Sequence, residues 1–116
     1  ARNLIRSAVM TSSGSGNNEE TFGRAAEVLK ALSHPTRLRI VDLLREGELC
    51  VSRLEELLGV PQPSVSQHLQ RLRYAGLIDS ERKGHLVCYR LRDDSAAAVL
   101  RVLVPSGRQQ ARGKRN

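Results

Sequence analysis

The stretch PQPSVSQHLQRLRYAGLIDSERKGHLVCYRL, residues 61–91, contains the strongest structural signal in this chain. Its first half places Val65, Leu69 and Leu72 at helical spacing, which predicts an amphipathic helix over residues 62–74. Gly76 ends that helix, and the residues after it alternate about a turn at Lys83-Gly84, where glycine permits a positive φ. The stretch therefore predicts one helix followed directly by a strand–turn–strand hairpin.

The polar surface of this helix combines hydroxyls, amides and arginines with no carboxylate, and the hairpin tip is basic. The candidate DNA-contacting residues are Gln62, Ser64, Ser66, Gln67 and Arg71 on the helix, and Arg82, Lys83 and His85 at the tip. Such a surface suits base edges and phosphates. We expect the first four, at the helix N-terminal end, to read bases or bind phosphates, and the others to contact mainly backbone.

The flanking residues extend this unit to the order α-α-β-α-α-β-β-α. A first helix is predicted to start near Asn18 and has an apolar repeat from Phe22, and Ser33 is placed to cap a second helix that begins at Pro35. Residues 49–51 form a short extended piece, Ser52 to Glu55 matches a capping box, and a last helix spans residues 96–104. The predicted class is mainly α with a small β-wing: a winged helix-turn-helix.

Composition divides the chain into three parts: a flexible N-terminal segment (1–18), the folded domain (19–104) and a basic flexible tail (105–116). Of the net charge of +7, the tail carries four basic residues: Arg108, Arg112, Lys114 and Arg115. Solubility alone or affinity for a polyanion explains such a tail equally well. No apolar run of about 18 residues is present, so no membrane partner is expected. Two cysteines without a secretory signal indicate a reducing cytoplasm.

Two other functional classes compete with DNA binding. An enzyme requires a nucleophile with its base and orienting group, or a phosphate-binding loop, and neither pattern occurs, so the chain is not expected to be an enzyme. A winged helix can also serve purely as a protein-interaction module. The carboxylate-free helix surface argues against that alternative.

Four segments in order resemble the ArsR/SmtB family of bacterial winged-helix repressors: LSHPTRLRIVDLL, ELCVSRLEELLGV, PQPSVSQHLQRLRYAGLI and KGHLVCYRL. The similarity covers about residues 22–104. It implies a homodimer that represses an operon by binding double-stranded operator DNA until an inducer releases it. Residues 62–74 are then the recognition helix, and the hairpin is the wing. The first and last helices form the dimer interface, for which the candidates are Phe22, Ala25, Leu29, Val99, Leu100 and Leu103.

The inducer sites known in the family transfer poorly. At the positions of the three-thiol metalloid site this chain has Cys50, Ser52 and Glu55, so one thiol of three remains. The zinc set on the last helix lacks its histidines, since none follows His85. No cofactor is expected to be required for folding, and whether a metal binds is unknown. A repressor without any sensing site therefore remains an alternative.

Cys50 and Cys88 are the remaining candidates for sensing. By resemblance, the first extended piece pairs with the returning strand of the wing, with Leu49 and Tyr89 facing the core. Alternation then places both cysteines on the opposite face, within reach of a disulfide or of a thiophilic metal or metalloid inducer. We expect such a bridge to strain the strand pairing and weaken DNA binding. The alternative is two unrelated small residues in a sheet.

Overall fold

The computed structural model describes residues 18–104, which form five helices and one three-stranded sheet. The elements, in chain order, are α1 (Asn18–Leu32), α2 (Pro35–Leu44), β1 (Leu49–Cys50), α3 (Val51–Leu58), α4 (Gln62–Tyr74), β2 (Ile78–Lys83), β3 (Leu86–Leu91) and α5 (Ser95–Leu103). The predicted order is confirmed. The predicted N-terminal segment and basic tail lie outside the described residues, except for Asn18.

One apolar core holds the helices together. Helix α2 is central: Ile40 and Val41 are fully buried, and α2 contacts α1, α3, α4, α5 and the sheet. The stripe predicted on α4 is confirmed, since Val65, Leu69 and Leu72 are all buried. Burial of apolar surface of this kind is the main stabilising contribution to the fold. Because this stripe faces the core, the opposite side of α4 remains available to a partner.

The sheet has the order β1-β3-β2, with both pairs antiparallel. In the hairpin, Lys83 pairs with Leu86, so the two turn residues are Gly84 and His85, one position later than predicted. Gly84 adopts a φ of 68°, which an L side chain rarely adopts. The hairpin is buried at its base and exposed toward its tip. Helices α3 and α4 with this hairpin form a winged helix-turn-helix.

Two predicted helix caps are wrong, although the second helix begins at Pro35 as predicted. Helix α2 is capped by His34 rather than Ser33: the His34 Nδ1 accepts a hydrogen bond from the Thr36 backbone N–H at 3.0 Å. Helix α3 begins at Val51, and its N-cap Cys50 makes no side-chain cap bond, so the predicted capping box at Ser52 does not form. The reason is that β1 ends at Cys50 and the chain enters the helix at once, which places Ser52 inside the first turn.

Candidate nucleic-acid interface

Helix α4 presents a surface of amides, hydroxyls and arginine to solvent. Of the candidates, Gln62, Ser66 and Gln67 are exposed, whereas Ser64 and Arg71 are half-buried at the sides of the helix. The exposed surface continues instead through Gln70, Arg73 and Tyr74. The predicted face is therefore rotated toward the wing, because the buried stripe packs against neighbours whose positions the sequence alone does not give.

Arg73 and Tyr74 were missed as candidates. The Arg73 guanidinium donates to the Ser80 hydroxyl on β2 at 3.1 Å, which links the recognition helix to the wing. The Tyr74 hydroxyl accepts a hydrogen bond from the Gln70 side-chain amide at 3.0 Å. A shallow polar groove lies between helix and wing and is lined by Ser66, Gln70, Arg73 and Tyr89 of β3. The sequence signal of Arg73 and Tyr74 was their spacing of three and four residues, about one helical turn, from Gln70.

A basic cluster joins the other side of α4 to the start of α2. The rings of His34 and His68 lie 4.3 Å apart between centroids, and Arg37 Nη1 is 3.3 Å from His68 Nδ1. Desolvation, with the charges of His34 and Arg37, lowers the pKa of His68 below its ordinary value. Desolvation and the nearby Arg71 likewise lower the pKa of Arg37. A neutral His68 is therefore favoured in the folded chain.

Ion pairs with acidic residues neutralise part of the positive charge of the wing. Lys83 forms an ion pair with Glu48, just before β1, with Nζ and Oε2 2.5 Å apart. That hydrogen bond raises the pKa of Lys83. Arg90 pairs with Glu81 on the neighbouring strand. Among residues 18–104, Arg82 is the cation of the wing tip that has no acidic partner within ion-pair distance, and His85 is exposed beside it.

The two cysteines lie opposite each other on neighbouring strands, as expected. Cys50 of β1 pairs directly with Cys88 of β3, and the two are joined by a disulfide. The prediction that their face points away from the interior is wrong for Cys88, a residue that is only 1% exposed. The register pairs Leu49 with Tyr89 and Cys50 with Cys88, so the strand pairing persists alongside the disulfide. Among residues 18–104, no three His, Cys, Asp or Glu side chains form a metal-binding group.

The candidate dimer residues fall into two groups. Phe22 and Leu29 on α1 and Leu103 on α5 are strongly exposed, and Ala25, Leu29 and Val99 line a groove between the two helices. Leu100 does not belong with them: it is 2% exposed and packs in the core of its own chain. Helix α5 is apolar on several sides, so spacing alone did not show which leucine faces inward. Val102, 77% exposed, was missed.

Helix α1 also contacts the end of the recognition helix. Arg24 Nη1 donates to the carbonyl oxygen of Ala75, the residue that caps the C-terminus of α4. A cation at the C-terminal end of a helix is favourable because carbonyl groups there lack partners and the helix dipole is negative. The helix expected to form a dimer is thus linked directly to the helix expected to contact DNA. No helix among residues 18–104 is long and apolar enough to cross a membrane.

Comparisons with known proteins agree with this architecture. Residues 34–80 match the profile of the family described as "Bacterial regulatory protein, arsR family". The chain is 47% identical over 81 residues to the HTH-type transcriptional repressor SmtB of Mycobacterium tuberculosis, a match covering 70% of this chain and 60% of that protein. It is 40% identical over 85 residues to the biofilm growth-associated repressor of Xylella fastidiosa, covering 73% of this chain and 75% of that protein.

A solved structure gives the same result for the fold. The homodimeric winged helix-turn-helix DNA-binding domain of a possible ArsR-family regulator from Mycobacterium bovis superposes with a TM-score of 0.70 at 27% identity, covering 82% of this chain and 88% of that one. The Xylella relative shares 40% of its aligned residues with this chain over three quarters of its own length. The profile match spans the second helix to the first wing strand. The chain belongs to the arsR family of bacterial regulatory proteins.

Proposed function

We propose that this protein is a transcriptional repressor of the ArsR type, which binds double-stranded operator DNA and is released by an inducer. The observation that carries the proposal is the exposed surface of α4, which holds Gln62, Ser66, Gln67 and Gln70 and no carboxylate. Amides read adenine edges in the major groove, and short hydroxyls contact either bases or phosphates. The repressors that the chain resembles support the same role. Such a role is regulatory rather than enzymatic and places the protein in the cytoplasm.

The wing supplies contacts that carry no sequence information. Arg82 and His85 are exposed at its tip, and Arg73 stands between wing and recognition helix. Cations at these positions would bind phosphates on either side of the groove that α4 enters. Ser64 and Arg71, half-buried on the side of α4 toward α2, would contact backbone rather than bases. Lys83 would contribute only when its ion pair with Glu48 opens.

We propose further that the protein acts as a two-fold dimer through α1 and α5. Phe22, Leu29, Val102 and Leu103 expose large apolar surfaces that a single chain leaves in water. A large exposed apolar patch of this kind is typical of a protein interface. The resulting symmetry would place two recognition helices in successive major grooves, about 34 Å apart. The homodimeric relative from Mycobacterium bovis supports this arrangement.

A salt titration tests the proposed function against the protein-interaction alternative. The probe is a fluorescent duplex of about 30 base pairs with random sequence, long enough for two half-sites. We expect the association constant to fall steeply and linearly with salt on logarithmic axes, because phosphate contacts release counterions. The matched control is Arg82→Ala, which should reduce the slope by about 1. A wild-type protein that binds no duplex at low salt would favour the protein-interaction module.

A further inference from the structure

We propose that Cys50 and Cys88 form a dithiol site that hydroperoxides oxidise, and that the resulting disulfide locks the wing onto the helix-turn-helix. The inference rests on the proposed DNA-binding function and adds its regulation. The two residues are 38 positions apart in sequence yet directly opposite each other on β1 and β3. The structure contains the bond between them. The site differs from a metal site, since one thiol pair cannot complete a three-thiolate or tetrahedral ligand set.

The bond connects the two parts that the proposed function requires to act together. Cys50 is both the last residue of β1 and the N-cap of α3, the first helix of the helix-turn-helix. Cys88 is in the middle of β3, the central strand of the sheet, which pairs with β1 on one side and with β2 on the other. Without the bond, β1 is attached to the wing by a two-residue pairing and the Glu48–Lys83 ion pair. A partly exposed ion pair contributes little to stability.

The two cysteines differ in solvent exposure, and we infer from this which of them reacts with the peroxide first. Cys50 is half-buried and therefore reachable from solvent, whereas Cys88 is 1% exposed. The Cys50 thiolate would attack the distal oxygen of a hydroperoxide, forming a sulfenic acid and releasing the alcohol, or water from hydrogen peroxide. The Cys88 thiolate would then attack the Cys50 sulfur and displace hydroxide, which is protonated to water. Two thiols and one peroxide yield one disulfide, one alcohol and one water, and a small dithiol reverses the change.

The locked state should bind DNA more tightly than the reduced state. The disulfide coexists with the regular register of β1 and β3, so it fixes a wing position that the sheet already favours. In the reduced protein the wing has greater freedom, which must be lost when it docks on the phosphate backbone. Holding a binding element in its bound position increases affinity by removing that cost. This direction is opposite to the expectation that a bridge would strain the sheet.

The chemistry is tested first, on the whole chain. Protein reduced with a dithiol is treated with hydrogen peroxide, its remaining thiols are alkylated, and its mass is measured. We expect an intramolecular disulfide with no alkylated cysteine. In Cys88→Ala the reaction should stop at a sulfenic acid on Cys50, trapped by a carbon nucleophile such as dimedone. An unmodified wild type, or a disulfide found only between two chains on a non-reducing gel, would overturn the proposal.

The effect on DNA is then measured with one probe, a ~30-base-pair duplex enriched from a random pool by the thiol-free variant Cys50→Ala/Cys88→Ala. We expect the oxidised wild type to bind about three- to tenfold more tightly than the reduced wild type. The double variant should bind equally with and without peroxide, and its circular dichroism establishes that it folds. Equal or weaker binding by the oxidised wild type refutes the lock while leaving DNA binding intact. Failure to enrich any duplex would instead refute the proposed function.

Discussion

At the scale of single residues, two groups of side chains on α4 are proposed to have different roles. One group contacts base edges, and the other positions the helix. Gln67 is exposed near the N-terminal end, the part of a recognition helix that reaches base edges. His68 and Arg71 turn toward α2 instead, where His68 meets Arg37. Adjacent residues of one helix thus have different roles because a helix turns by about 100° per residue.

Gln67→Ala should relax base preference without greatly reducing overall affinity. A side-chain amide that bonds one base pair contributes about 1–3 kcal/mol of discrimination, and phosphate contacts are unaffected by its loss. The measurement is a comparison of binding to a selected duplex and to its single-base variants. Gln70→Ala is the matched control, because Gln70 lies nearly one turn further from the N-terminal end and its side-chain amide already donates to the Tyr74 hydroxyl. Equal loss of discrimination in both variants would contradict the assignment to Gln67.

His68 should make the folded chain less stable in acid. Its pKa is lowered first by desolvation and then by the charges of His34 and Arg37, so the unfolded chain binds a proton more readily than the folded one. The stabilising contribution is therefore present above the ordinary histidine pKa of 6.5 and is lost as pH falls through that value toward the lower pKa of the folded state.

The measurement for His68 is the urea midpoint as a function of pH. We expect the midpoint of the wild type to fall between pH 7.5 and 5.5, and His68→Gln to lose part of that dependence. His85→Gln, at the exposed wing tip, serves as the control and should follow the wild type. If His68→Gln and the wild type have parallel curves, then protonation of His68 is not coupled to folding.

At the scale of elements, three side-chain contacts hold the wing to neighbouring elements of the fold. Glu48 and Lys83 form an ion pair, Cys50 and Cys88 a disulfide, and Arg73 donates to Ser80. The first of these neutralises Lys83, one of the residues proposed to contact phosphate. We therefore expect the acidic residue before β1 to limit how strongly the wing binds DNA.

Glu48→Gln should strengthen binding to every duplex. The change removes a carboxylate and frees Lys83 for phosphate, so the salt slope should become steeper by about 1. Lys83→Ala should weaken binding to all sequences alike, because it leaves the Glu48 carboxylate without its cation near the phosphates. The double variant Glu48→Gln/Lys83→Ala is the control and should lose the gain of the single change. An unchanged salt slope in Glu48→Gln would show that Lys83 does not reach the DNA backbone.

Much of this architecture was predictable from local patterns, and the remainder depended on distant contacts. Spacing of Val65, Leu69 and Leu72 predicted α4, and alternation about Gly84 predicted the hairpin, since both signals lie within one element. The pairing of Glu48 with Lys83 and the burial of Cys88 were not predictable from local pattern, because each depends on how separate elements pack. Leu100 was assigned to the wrong surface for the same reason. The rotation of the α4 face toward the wing likewise followed from tertiary packing.

At the scale of the whole molecule, the exposed apolar surface of α1 and α5 should produce a dimer. Leu29→Asp should shift the protein to a monomer and weaken DNA binding, because a charge in an apolar interface is costly and one half-site alone binds weakly. Sedimentation at micromolar concentration measures the first effect. Leu86→Asp, an exposed leucine on the wing, is the control for association and should remain dimeric. A stable monomer in the wild type would refute the interface.

Selection of duplex DNA from a random pool, followed by sequencing, tests whether the protein binds a specific operator as a two-fold dimer. A two-fold dimer that inserts one α4 into each of two successive major grooves should enrich an imperfect palindrome with half-sites about 10 base pairs apart, centre to centre. Enrichment should disappear in Leu29→Asp and become less selective in Gln67→Ala. A pool that shows no enrichment, or that enriches a single site without two-fold symmetry, would contradict the account of this chain as a dimeric, sequence-specific repressor.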